Sequence, residues 1–242
     1  MSVRERLRQL YEQADQENRQ TILRLVLPAP GGTLLDVGCG DGSWTLEVAS
    51  RTEASHVIGL DGSSPLISAA SKRGIDARLS ELAEEWPLPE HSVDIVHSNQ
   101  VIEHLSDTDH FFREIRRVLK PGGYAIISTN NLASWHNLFF LILGWQPPAA
   151  HVSDEVIVGN PINFDQGVTC GEGSYPLHRR LFTHRALAEL AGHHGLTLDA
   201  ARGAGYYPLP ARAARVAARL DPTHAAYLAH RYVAGVSASA AR

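Results

Sequence analysis

LLDVGCGDGSW, Leu34 to Trp44, is the stretch that decides the fold. A short apolar run carries one acid, Asp36, and gives way to glycines at 38, 40 and 42, with a second acid, Asp41, among them. Glycines at alternate positions just past a strand let the backbone turn sharply and leave room for a small molecule beside it. The two acids bear on the charge of that molecule.

Working outward, the pattern alternates. Val3 to Leu27 is helical, with Val3, Leu7, Leu10, Tyr11 and Ala14 at three- and four-residue steps, and PAPGG (28–32) stops it. TLLDV is a strand, DGSWTLEVASR a helix, and HVIGLD (His56 to Asp61) a second strand. SPLISAASKRG reads as helix, DARLS as a weak third strand, and SVDIVHSN (Ser92 to Asn99) as a fourth. DTDHFFREIRRVL is a helix ended by KPGG, and YAIISTN (Tyr124 to Asn130) is a fifth strand. Strands separated by helices predict an α/β fold: a doubly wound, Rossmann-like, mostly parallel sheet with right-handed crossovers.

The regularity breaks after Asn130. Residues 131–180 are rich in Gly, Pro, Asn, His and aromatics, with one apolar segment, SWHNLFFLILGW. Fifty residues without alternation are too many for a passive connection. The expectation is a core of residues 1–130 and 181–242 with 131–180 inserted after strand five as a lid and acceptor pocket. THRALAELAGHHG then reads as a helix, PARAARVAARLDP as an Ala-rich helix, and LTLDAARGAG and AAYLAHRYVAGV as the last strands.

The 242 residues carry a net charge of −4, which gives no electrostatic reason to expect nucleic acid. The charged start lacks the apolar core of a signal peptide, and LFFLILGW is far short of a membrane span, so the expected location is cytoplasmic. The two cysteines, Cys39 and Cys170, are distant in sequence, and the 13 histidines form no HxxxH or HExxH pattern. No metal site is expected. Nothing sets the oligomeric state.

Two ligand classes use a strand, a glycine turn and a helix in this way: dinucleotides such as NAD, and S-adenosylmethionine. The dinucleotide pattern is GxGxxG, whereas this turn is GxGxG. A pyrophosphate near Asp36 and Asp41 would be repelled by up to about 4 kcal/mol per acid at about 4 Å and an effective dielectric near 20. The ammonium and sulfonium of S-adenosylmethionine would instead be attracted. Asp61 lies 21 residues after Gly40, where an acid can accept from ribose hydroxyls in either ligand.

LLDVGCGDGSW, GLDGSS, SVDIVHSNQVIEHL and LKPGGYAIISTN, in this order, resemble the class I S-adenosylmethionine-dependent methyltransferases. The resemblance implies a seven-stranded sheet whose final hairpin has one antiparallel strand, with S-adenosylmethionine as cofactor and S-adenosylhomocysteine as product. It implies that Asp36, Gly38, Cys39 and Gly40 surround the methionine end. Asp61 would hold the ribose, with Gly62 and Ser63 along its edge. Glu81 and Leu82 would read the adenine, and the Asn99 carbonyl would meet the ammonium. Candidates for a general base are His104, beyond the fourth strand, which also reads as a structural histidine, and His136 and His178 in the irregular segment, which also read as surface residues. Trp135, Phe139, Phe140 and Trp145, facing Tyr206 and Tyr207, suggest a small-molecule acceptor with apolar or ring character. A looser resemblance, of NLASWHNLFFLILGWQP followed by HRRLFTHRAL, is to methyltransferases that accompany glycosyltransferases; it implies O-methylation of a sugar, glycolipid or natural-product hydroxyl. The alternatives are an NAD-dependent oxidoreductase and a non-catalytic cofactor-binding partner subunit.

Overall fold

The structure, a computed structural model, describes residues 3–163 and 177–235. Seven strands form one sheet: β1 (Thr33–Val37), β2 (His56–Asp61), β3 (Asp76–Leu79), β4 (Val93–Asn99), β5 (Leu119–Asn130), β6 (Leu196–Ala204) and β7 (Tyr227–Ala234). Their order is β3-β2-β1-β4-β5-β7-β6. The first five are mutually parallel, and β7 runs antiparallel to both β5 and β6. This is the expected Rossmann-like, mostly parallel sheet with its one reversed strand.

The helices are α1 (Val3–Leu25), α2 (Ser43–Thr52), α3 (Ser64–Lys72), α4 (Thr108–Val118), α5 (Trp135–Ile142), α6 (His184–His193) and α7 (Ala211–Leu220). They cover both faces of the sheet, which is why its central strands carry consecutive apolar residues. Neighbours along a strand point to opposite faces. Leu35, Val96, Ile127 and Leu228 join Phe111, Phe112 and Ile115 of α4 and Leu187 of α6 in one core. Leu34, Ile95, Ile126 and Ala229 join Ile22 and Leu25 of α1 and Val48 of α2 in the other. α4 is started by Asp107, whose side chain accepts the His110 backbone N–H at 2.8 Å.

Between β1 and β4 the strand order reverses, so the connections leave in opposite directions and open a crevice beyond the strands' carboxyl ends. The irregular segment starts at the same edge. Its two ends touch: Asn131 bridges Phe182, and the Leu132 N–H donates to the Phe182 carbonyl at 2.8 Å. Its Asn side chains satisfy backbone carbonyls: Asn131 Nδ2 donates to the Thr223 and Ala225 carbonyls, Asn137 Nδ2 to Asn131 O, and Asn160 Nδ2 to Gln146 O. Cys170 lies outside the described residues, as does the 164–176 portion of the expected lid.

Candidate active site

β1 runs straight into the glycine turn. At Gly38, φ is +78°, and a Cβ would fall 2.3 Å from Val101 Cγ2, so only glycine lets the chain bend beneath Val101. Gly40, at φ +55°, has no atom within 4 Å of its Cβ position; its outer side borders open space. Asp61 closes the turn from the tip of β2. Its Oδ2 accepts the Gly40 N–H at 3.0 Å and its Oδ1 the Ser63 N–H at 2.9 Å. A carboxylate has about four acceptor sites, so this half-buried group retains capacity for a ligand's hydroxyls. Glu81 Oε1 stands 3.7 Å from the Cβ position of Gly62, over the same tip. Leu82 packs partly on the core, and its carbonyl accepts from Trp86 Nε1 at 3.4 Å.

The other two acids differ from expectation. Asp36 is 2% exposed and lies beneath the turn rather than in the crevice. Its Oδ2 accepts Thr45 Oγ1–H at 2.5 Å and its Oδ1 meets His97 Nδ1 at 2.6 Å. Trp44 Nε1, which can only donate, lies 3.4 Å from His97 Nε2. His97 Nδ1 therefore carries the ring proton and donates to Asp36. The carboxylate is satisfied from below and braces the strand end. Asp41 points to the surface, where Ser43 and Arg73 hold its carboxyl down at about 2, with Arg73 Nη2 2.9 Å away. Of the acids in the sequence argument, Asp61 alone remains beside the open side of the turn, with Glu81 across from it.

Cys39 is buried against Ala70 and Ile75. Burial, then the charges of Asp36 and Asp61, push its thiol up to about 12, so it is a packing residue and no nucleophile at neutral pH. Asn99, at the tip of β4, accepts from Asn18 Nδ2 at 3.0 Å, and Asn18 Oδ1 accepts from Ser128 Oγ at 2.8 Å. One fully buried side chain of α1 thus fastens that helix across the tips of β4 and β5, and Arg19 lies 5.2 Å over the Trp44 ring. No pattern in the sequence marks Asn18 for this. Next to Asn99, Gln100 takes a left-handed backbone (φ +58°); its Oε1 accepts from Asn130 Nδ2 at 2.8 Å, while its buried Nε2 has no acceptor. An orphan donor costs about 1–3 kcal/mol. The spare acceptor sites of Asp61 suit a ligand's ribose hydroxyls, and the open side of Gly40 leaves room beside the turn.

A second cluster stands one strand further along. A 3-10 turn, Ile102–His104, follows β4. Glu103 is fully buried; its Oε2 accepts from Thr129 Oγ1 at 2.7 Å and its Oε1 from Asn130 Nδ2 at 3.3 Å. Burial pushes its carboxyl up to about 7. The His104 and His178 ring centroids are 4.7 Å apart, and His178 stacks on His151 at 5.1 Å. Burial, helped by the neighbouring His104, pushes His178 down to about 4. The structure thus brings together two of the three candidate bases. His136 sits apart, against the Tyr207 ring at 5.3 Å, and burial pushes it to about 4 as well. An imidazole with so low a pKa is a weak proton acceptor at neutral pH. Glu103 escaped the sequence reading although it adjoins His104 in VIEHL; no spacing foretold its full burial.

α5 and the 203–210 stretch are in contact. Trp135 Nε1 donates to Asp221 Oδ2 at 3.0 Å, and Tyr206 Oη donates to the same oxygen at 2.5 Å. Trp135 is 51% and Ile142 83% exposed, leaving an apolar face beside them.

Such a sheet, with a glycine turn and an acid at adjoining strand tips, is a Rossmann-like, doubly wound α/β fold. Residues 35–127 match the methyltransferase domain family. A Mycolicibacterium smegmatis protein named as a probable S-adenosylmethionine-dependent methyltransferase is 42% identical over 110 residues, 45% of this chain and 42% of the relative. Demethylmenaquinone methyltransferase of Listeria monocytogenes is 31% identical over 131 residues, 50% of this chain and 55% of the relative. The matches therefore span about half the length of these relatives, or less. Among solved structures, the methyltransferase in a complex with the Haloferax volcanii Trm112 methyltransferase activator shares the fold, with a TM-score of 0.62, 18% identity and 94% of both chains covered. Over residues 35–127 the chain is thus similar to S-adenosylmethionine-dependent methyltransferases. Among the described residues, no helix is long and apolar enough to cross a membrane.

Proposed function

We propose that the chain transfers a methyl group from S-adenosylmethionine to a hydroxyl of a small molecule with apolar or ring character, such as a sugar, glycolipid or natural product. The observation that supports it most is the turn held by Asp61, with open space at the Cβ position of Gly40. When bound, S-adenosylmethionine supplies a methyl already activated by its sulfonium. The chain's task is to hold and align. Asp61 accepts the ribose hydroxyls, Glu81 and the Leu82 backbone read the adenine, the Gly38 and Gly40 backbone flanks the methionine end, and the Asn99 carbonyl takes the ammonium. Asp36 and Cys39 support that turn from within. The described parts of the irregular segment, residues 131–163 and 177–180, form a lid that excludes water, which strengthens the electrostatics of the site, and present the acceptor oxygen in line at about 3–3.5 Å. The acceptor hydroxyl loses its proton beside the His104–His178 cluster, where two of the candidate histidines meet.

Calorimetry with S-adenosylhomocysteine and with NAD separates this reading from an oxidoreductase: homocysteine-product binding without NAD binding is the expected result. Incubation with methyl-labelled cofactor and a panel of hydroxylated glycosides and phenols should then label an acceptor oxygen. Label on nitrogen or carbon would overturn the choice of oxygen. Product binding without transfer to anything in a whole-cell extract would leave a non-catalytic partner subunit.

A further inference from the structure

Glu103, His104 and His178 meet where the tips of β4 and β5 join the start of the irregular segment, and the way each is held bears on what they can bind. His104 Nδ1 lies 3.2 Å from the Leu177 carbonyl and His178 Nδ1 2.9 Å from the Ala149 carbonyl. A carbonyl only accepts, so each Nδ1 carries the ring proton and each Nε2 carries the lone pair. Imidazoles that ligate metals are oriented in this way, with the distal N–H bonded to a backbone carbonyl or carboxylate. Glu103 brings a fully buried carboxylate, gripped by Thr129 and Asn130, and it takes part in none of the ion pairs among the described residues that are formed at 4.0 Å or less. Burying a carboxylate without a cation is costly. One ligating atom from each of the three lies within 4.8 Å of the others. Tetrahedral bonds of about 2.0–2.2 Å place ligand atoms roughly 3.3–3.6 Å apart, so the cluster has to draw in by about 1 Å around an ion.

We propose that Glu103, His104 and His178 bind one divalent transition-metal ion of the zinc type. Two imidazoles and one carboxylate suit zinc, manganese or iron(II) better than magnesium or calcium, which prefer oxygen alone. Three protein ligands leave a fourth position, and resting on the methyltransferase reading above, the acceptor hydroxyl occupies it. The ion lowers the pKa of that hydroxyl. The O–H bond breaks, its proton passes to solvent, and the oxygen's electron pair forms the bond to the methyl carbon as the carbon–sulfur bond breaks and its pair stays on sulfur.

The test uses tag-free, chelator-treated full-length chain titrated with zinc chloride against a competing chelator, with S-adenosylhomocysteine titrated in parallel. The expected result is one zinc per chain, with affinity reduced more than about 100-fold in His178→Ala and in Glu103→Gln. That exceeds the roughly 10- to 100-fold that loss of a supporting hydrogen bond costs. Should Glu103→Gln fail to fold, His178→Ala carries the comparison, with circular dichroism as control. Absence of saturable zinc binding, or equal affinity in His178→Ala, overturns the site. Zinc bound without S-adenosylhomocysteine would uphold the ion and refute the methyltransferase reading; the converse would do the reverse.

Discussion

Asp61 is tied to the glycine turn by two backbone N–H groups, so its carboxylate has a fixed direction before any ligand arrives. If it also accepts the ribose hydroxyls, Asp61→Ala should weaken S-adenosylhomocysteine binding by roughly 1.5–3 kcal/mol, the range for hydrogen bonds to a charged group; unchanged affinity in calorimetry would remove it from the site. Asp36 works in the opposite direction, into the protein. Replacing its partner, His97→Phe, keeps a ring in the cavity but leaves the buried carboxylate with Thr45 as its remaining hydrogen-bond donor. A loss of about 2–3 kcal/mol, or roughly 4–12 °C in melting temperature, is expected, and an unshifted melting curve would show that Asp36 does not need the imidazole. The sequence reveals the types of these acids and their places at strand ends. It does not reveal their directions, because Asp36 is turned inward by Thr45, nine residues on, and by His97 on a neighbouring strand, while Asp41 is drawn outward by Arg73. The charge argument from sequence rested on Asp36 and Asp41. The fold commits both of them elsewhere.

Elements were legible wherever one period dominated. β1 and β2 have the expected bounds because short apolar runs between turn residues leave the chain no other arrangement. β5 is longer than expected, since Leu119 already pairs with Val93 ahead of KPGG, which bulges out of the ladder with Gly122 at φ +80° before Tyr124 resumes the pairing beside Ile95. What periodicity cannot reach is the contact between distant elements. His184 opens α6 and His230 lies in β7, with His184 Nδ1 and His230 Nε2 2.7 Å apart. His184 Nε2 donates to the Pro222 carbonyl at 3.0 Å, and Tyr232 Oη donates to His230 Nδ1 at 2.7 Å. The chain of donors runs from Tyr232 through His230 and His184 to Pro222, and both rings are neutral. Burial pushes His230 down to about 3 and lowers His184. An unfolded histidine takes up its proton near pH 6.5, whereas the folded His230 waits until about 3. Stability should therefore fall as pH drops through that window, at most about 1.4 kcal/mol per unit for His230. Urea midpoints between pH 7 and 4 should decline more steeply for the native chain than for His230→Gln; parallel slopes would contradict the buried, neutral pair.

At the scale of the whole molecule, the irregular segment leaves and re-enters the sheet edge at one place, where Asn131 and Phe182 touch. A short Gly/Ser connector in place of residues 135–180 can therefore close without pulling on the core. That variant should keep its affinity for S-adenosylhomocysteine and lose methyl transfer; loss of both would show that the segment also closes over the cofactor. The far side of the sheet has a different consequence. β7 lies between β5 and β6 yet follows both along the chain. During synthesis β5 therefore emerges with one flank unpaired, and β6 has no neighbour in the sheet until the last strand leaves the ribosome. A translating chain stalled short of Tyr227 exposes a raw edge to any other nascent polypeptide, so chaperone dependence in the cell should concentrate in that final interval.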